Sequence, residues 1–206
     1  MSRRNTALLV CGFAALAALV AAGALARFDQ WAVNHLMPGA EFQHANGGLL
    51  EGLVPFLHSR WASAYEIAAN IVTLPASFLV SLAIALACSR VLGVALVAAV
   101  AVEVLCKEVL TRPALYDGSF HVASFDSSFP SGHALRTVLV AAAVAWRWPR
   151  ARDIATAWAI ASIVLLQLAG WHTPTDIAGG VVLAALALLG ARAAGALGRR
   201  RLAARP

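Results

Sequence analysis

Six apolar runs, at about residues 7–26, 64–88, 91–109, 133–148, 153–171 and 175–197, constrain this chain more than any other feature. Each is near the ~20 residues that a helix needs to cross a bilayer. Lipid offers no partner to a backbone N–H or C=O, so an open-ended span must be helical. Hydrophobic residues make up 61% of the 206 residues and charged ones 13%, which excludes intrinsic disorder and leaves too much apolar surface for a soluble core. The expected architecture is all-α, a six-transmembrane-helix bundle forming a single membrane domain over 1–206. Asn70, Thr73, Ser77 and Ser81 are expected to bond between helices. Ser2-Arg3-Arg4 before an apolar stretch ending Ala24-Leu25-Ala26 also resembles a cleavable signal peptide. That stretch is longer than the roughly 7–15 residues of a signal core, so an uncleaved span is expected.

Sixteen basic residues against ten acidic give a net charge of +6, and Lys107 is the only lysine. The arginines cluster at the ends of the apolar runs, as membrane orientation signals do, so nucleic acid is not an expected partner. With the N-terminus in the cytoplasm, the inside segments hold Arg3, Arg4, Arg90, Arg147, Arg150, Arg152, Arg192, Arg199, Arg200, Arg201 and Arg205. The outside segments hold Arg27, Arg60, Lys107 and Arg112, with Arg136 just inside the outer end of the fourth run. Both termini are therefore expected to be cytoplasmic, and the Ala- and Arg-rich composition suggests a bacterial cytoplasmic membrane. The two outside loops, 27–63 and 110–132, are long, and long irregular connections are where function tends to sit. Trp31, Phe42, Phe56 and Trp61 are expected to form an interfacial aromatic belt, and His35, His44 and His58 take a structural reading. Asp117, His121 and Asp126 read as solvated loop residues. Cys11, Cys88 and Cys106 lack metal-type spacing and read as small core residues.

Lys107 and Arg112 sit where the third run ends, Phe129-Pro130-Ser131-Gly132-His133 leads into the fourth, and His172 with Asp176 opens the sixth. From His133 to His172 is 39 residues, about one crossing and its return, so both histidines reach the outer face. A phosphoryl-transfer site needs positive charge and N–H donors around the phosphate oxygens, a nucleophile, and a proton donor for the leaving oxygen. Pro130 and Gly132 put an irregular turn at a helix start, where free N–H groups face an anion beside the Ser131 hydroxyl. His172 and Asp176 are four apart, so the carboxylate can hold one imidazole nitrogen and leave the other to attack.

Pro130-Ser131-Gly132-His133 with His172-x-x-x-Asp176 resembles the second and third signature motifs of the type 2 phosphatidic acid phosphatase superfamily, and Lys107-Glu-Val-Leu-Thr-Arg112-Pro113 resembles the first. The likeness covers roughly 64–197, the expected catalytic core. The resemblance implies that His172 attacks phosphorus to form a phosphohistidine, that Asp176 orients it, and that His133 protonates the departing oxygen. It implies that Lys107, Arg112, Ser131 and the Gly132 amide hold the phosphate oxygens, with no metal and no cofactor. The first motif usually has six residues between Lys and Arg-Pro, whereas this chain has four. The third usually carries Ser-Arg ahead of its histidine, where this chain has Leu165-Leu166. Arg136, one turn after His133, is expected to replace the missing phosphate-clamping arginine.

The expected activity is metal-independent hydrolysis, at the outer face, of a phosphomonoester or diphosphate of a membrane lipid, either an isoprenoid diphosphate or a phosphatidic-acid-like lipid. A lipid phosphotransferase and a noncatalytic lipid-phosphate-binding protein are the alternatives, and a transporter is third. Taken singly, Lys107 and Arg112 read as snorkelling residues and Glu103–Lys107 as a structural i,i+4 pair. Asp176 can also be a helix-start residue with Thr173 as cap and Pro174 in the first turn. A homo-oligomer is left open.

Overall fold

The computed structural model describes residues 3–40 and 64–203, with side chains from residue 4 as far as residue 195. Phe42, Phe56, Trp61, His44, His58 and Arg60 lie outside the described residues, as do the side chains of Arg199, Arg200 and Arg201 and the whole of Arg205. The described residues are mostly helical: α1 (Arg3–Ala21), α2 (Ala26–Leu36), α3 (Ala64–Val72), α4 (Phe78–Cys88), α5 (Arg90–Val109), α6 (Gly132–Arg147), α7 (Arg152–Leu168) and α8 (Pro174–Ala203). The only strands among the described residues form a small antiparallel hairpin, β1 (Tyr116–Asp117) and β2 (Phe120–His121), in register Tyr116↔His121.

Among the described residues, three segments are long and apolar enough to cross a membrane: Arg4–Ala21, Pro149–Leu168 and Pro174–Gly195. The other three runs are helical too, yet each falls short by length or composition. The run at 64–88 is broken into α3 and α4 by a 3-10 turn at Leu74–Ala76, where Pro75 lacks an N–H to continue the helix. Helix α5 carries Arg90, Glu103, Lys107 and Glu108, and α6 has 16 residues. Among the described residues, the expected bonds between helices from Asn70, Thr73 and Ser81 are absent. Their side chains donate to Glu66, Ala69 and Phe78 carbonyls in the same turn of chain, the i−3 and i−4 acceptors a helix always brings within reach.

Helix α6 is central and packs on α4, α5, α7 and α8. Its apolar positions recur every four residues, Leu135, Leu139 and Ala143, and meet Leu92, Leu96 and Ala99 of α5 and Leu183 and Ala184 of α8. Gly180 lets α8 approach the start of α6, because a Cβ there would collide with the Ser131 carbonyl oxygen. A second apolar cluster, Val33, Met37, Ala40, Leu115, Val122 and Phe125, anchors the 110–131 loop under α2. That anchoring sets the path by which the chain enters α6.

Candidate active site

The last turn of α5, the first turn of α6 and the 169–173 connection meet at one end of the bundle. Ser131 caps α6, its Oγ accepting from the Ala134 N–H at 3.2 Å, while its own N–H donates to the Asp176 carbonyl at 2.9 Å. The side chain expected beside an anion is thus fully buried as a helix cap. Gly132 and His133 are the first two residues of α6, whose N–H groups have no carbonyl within the helix to bond. A Cβ at Gly132 would collide with the Glu103 carboxylate, so glycine is the residue that lets this acid lie against the helix start.

The His133 and His172 rings lie 5.9 Å apart, and Trp171 lies 5.5 Å from His133. Glu103 accepts from Lys107 Nζ at 2.8 Å through Oε1 and from Arg136 Nη1 at 3.3 Å through Oε2. Arg136 Nε donates to the Ala76 carbonyl at 2.7 Å, so the turn at Pro75 supplies an acceptor that holds this guanidinium. Burial pushes the His172 imidazole well below the ordinary histidine range, and the neighbouring His133, Lys107 and Arg136 add to that shift. His172 is therefore neutral at pH 7, the form in which a ring nitrogen is a nucleophile.

Asp176 and Arg112 belong to a separate buried network. Thr173 and Asp176 form a reciprocal cap at the start of α8. The Thr173 N–H donates to Asp176 Oδ2 at 3.0 Å and the Asp176 N–H to Thr173 Oγ1 at 3.4 Å, with Pro174 in the first helical position. Asp176 also accepts from Ser128 Oγ at 2.7 Å and from Arg112 Nη1 at 3.0 Å. The other Arg112 terminal nitrogen donates to Asp29, which in turn accepts from Thr175 Oγ1 at 2.6 Å. Both terminal nitrogens of Arg112 are thus engaged by carboxylates rather than turned to the histidine pair. His172 Nδ1 lies 3.9 Å from Asp176 Oδ2, beyond hydrogen-bond range, and has no hydrogen-bond partner among the described residues.

Lys107, His133, Arg136 and His172 are thus brought together, with Gly132 beneath them, whereas Arg112 and Ser131 face other partners. Two carboxylates carry more than the sequence suggested. Glu103 is shared with Arg136 as well as Lys107, and Asp29 sits on the buried face of α2 with Ala32 and Val33. The signal for Asp29 is its place on the inward stripe of a helical period, where a carboxylate requires a cation. Among the described residues, no three His, Cys, Asp or Glu side chains are grouped to hold a metal ion.

A model of the PAP2 superfamily matches residues 92–196, just over half of the chain and inclusive of all three motifs. Neither a curated protein nor a solved structure matches.

Proposed function

The chain belongs to the PAP2 superfamily, whose chemistry is phosphatase-type action on phosphate esters, and on that premise we propose that it is a metal-independent lipid phosphate phosphatase of six spans with its site at the outer face of a bacterial cytoplasmic membrane. The observation that carries the reading is the pair of histidine rings 5.9 Å apart, flanked by the Lys107 and Arg136 cations at the mouth of a helix bundle. With Nδ1 turned toward Asp176, the His172 Nε2 attacks phosphorus, and the P–O ester bond breaks as His133 gives its proton to the departing oxygen. Water then attacks the phosphohistidine, losing its proton to His133 and releasing inorganic phosphate and neutral His172. Lys107, Arg136 and the N–H groups of Gly132 and His133 hold the phosphate oxygens. Arg112 holds the Asp176 carboxylate in place at the start of α8, with its Oδ2 3.9 Å from the His172 Nδ1.

A lipid substrate is supported by a groove of about 360 Å³ between α5 and α8, whose lining includes Val94, Ala98, Val102, Leu183, Ala187 and Gly190. Its upper end, Val102, is the residue before Glu103. A tail lying there places its headgroup at the histidines. Gly190 opens onto free space, so Gly190→Leu fills the groove without a backbone clash and favours the helix. The expected result is a KM raised about tenfold for a long-chain lipid phosphate, the equivalent of about two methylenes left unburied, with a short-chain soluble phosphate ester unaffected. Equal effects on both substrates would remove the tail from this groove.

The test of the function is phosphate release from a panel of lipid monophosphates and diphosphates by detergent-purified protein, with an acceptor lipid in a parallel arm. Release to water supports the phosphatase, and transfer to the acceptor makes it a phosphotransferase. Binding of the lipids without turnover overturns the enzymatic reading.

A further inference from the structure

Glu103 stands out as the acid buried at the point where the site needs positive charge. It is 4% exposed, it lies against Cα of Gly132, and each of its oxygens receives one of the two cations at the histidine pair. In charge, in its two oxygens and in its position at a helix start, it resembles the anion the site is read to bind. Phosphate oxygens approaching the α6 N-terminus between Lys107 and Arg136 must meet a carboxylate already there.

We propose that Glu103 is a built-in competitor of phosphate: it holds Lys107 and Arg136 in the empty site, yields them to the substrate phosphate, and by its charge speeds the departure of inorganic phosphate. The proposal rests on the phosphatase reading and deepens it. Without Glu103, the side chains of Lys107 and Arg136 present two uncompensated charges to phosphate. With it, the three side chains present one, and a like charge stands beside the bound anion. Affinity for the product is thereby lowered at little cost to geometry, because the same carboxylate keeps both cations placed between turnovers. Exchange of partners is local. Lys107 is the more exposed of the two cations, with 31% of its side chain accessible, and it has the flexible stem to turn from one anion to another. Arg136 stays anchored through Nε on the Ala76 carbonyl while Nη1 changes acceptor.

The test compares wild type with Glu103→Gln, which keeps the size of the side chain and removes its charge. Inhibition of lipid phosphate hydrolysis by inorganic phosphate is measured together with direct binding of inorganic phosphate to the purified protein. The expected result is phosphate bound at least about tenfold more tightly by Glu103→Gln, with a lower KM and a lower kcat as product release slows. A purely structural role for Glu103 gives the opposite, weaker phosphate binding, and that result, or unchanged affinity, overturns the proposal. A second measurement uses the unmutated protein and so does not depend on the variant folding. The infrared difference between phosphate-bound and free protein carrying carbon-13 glutamate is expected to show a shifted carboxylate band. No glutamate signal at saturating phosphate overturns the proposal as well. Hydrolysis by the wild type separates the two levels. No release from any lipid phosphate sinks the phosphatase reading, whereas release with phosphate affinity unmoved in Glu103→Gln sinks only the role of Glu103.

Discussion

His172→Ala is expected to lower kcat for phosphate release by about a thousandfold or more, while leaving KM and thermal stability close to those of the wild type. The reason for so clean a separation is geometric. In the proposed reaction the imidazole supplies the attacking nitrogen, but its Nδ1 makes no hydrogen bond among the described residues, and the capping network at the start of α8 is closed by Thr173, Asp176 and Ser128 without it. Lys107 and Arg136 remain to hold the phosphate. A variant that lost its fold along with its activity would place His172 in the scaffold instead. The same residue sets the acid side of the pH profile. Burial, and after it the charge of His133, Lys107 and Arg136, pushes the His172 imidazole down, so its neutral form persists to lower pH and is lost only as pH falls through that lowered value. The acid limb of kcat/KM is therefore expected below about 6.5, the ordinary histidine value. A limb at or above that value contradicts a depressed nucleophile.

Arg112→Ala is expected to destabilise the protein by about 3–5 kcal/mol, the cost of breaking a buried ion pair from one side. The Arg112 side chain is 3% exposed and lies between Asp29 and Asp176, both fully buried. Its removal leaves two carboxylates facing each other with no cation between them. For a chain of this length the loss lowers the thermal midpoint on the order of 10 °C. Adding Asp29→Asn to Arg112→Ala should recover part of it by removing one of the stranded charges. Arg112→Lys should not restore the wild-type value, because a single ammonium cannot present the planar fork that reaches both acids. If Arg112 instead clamps phosphate, Arg112→Ala will raise KM and leave the midpoint where it was.

Much of this was legible in the sequence, because its strongest signals are local. Apolar runs become helices, Thr173 begins one where a hydroxyl precedes an apolar stretch, and the two motif histidines are returned to one end by two successive helices. What was hidden depends on register between segments distant in the chain. Pro75 announces a break, but no local pattern says that the turn it creates will present the Ala76 carbonyl to Arg136, 60 residues later. Glu103 is visibly one turn from Lys107, yet its second bond requires α5 and α6 to pack in one particular register. Asp29 and Arg112 are 83 residues apart, and only the docking of α2 over the start of α8 joins them. The place of Arg112 beside Pro113 matches a phosphate-binding motif but says nothing of where the guanidinium turns. In the fold it turns inward, to the acids.

The most direct test of the account is to trap the intermediate. Purified protein is given a lipid phosphate labelled in the transferred phosphoryl group, quenched in base within the first turnovers, and digested. The account predicts label that survives base and is lost in acid, as a phosphoramidate is, on the peptide containing His172, and none on the His172→Ala variant. Steady release of phosphate with no labelled peptide under these conditions, or with the label on another residue, would contradict it.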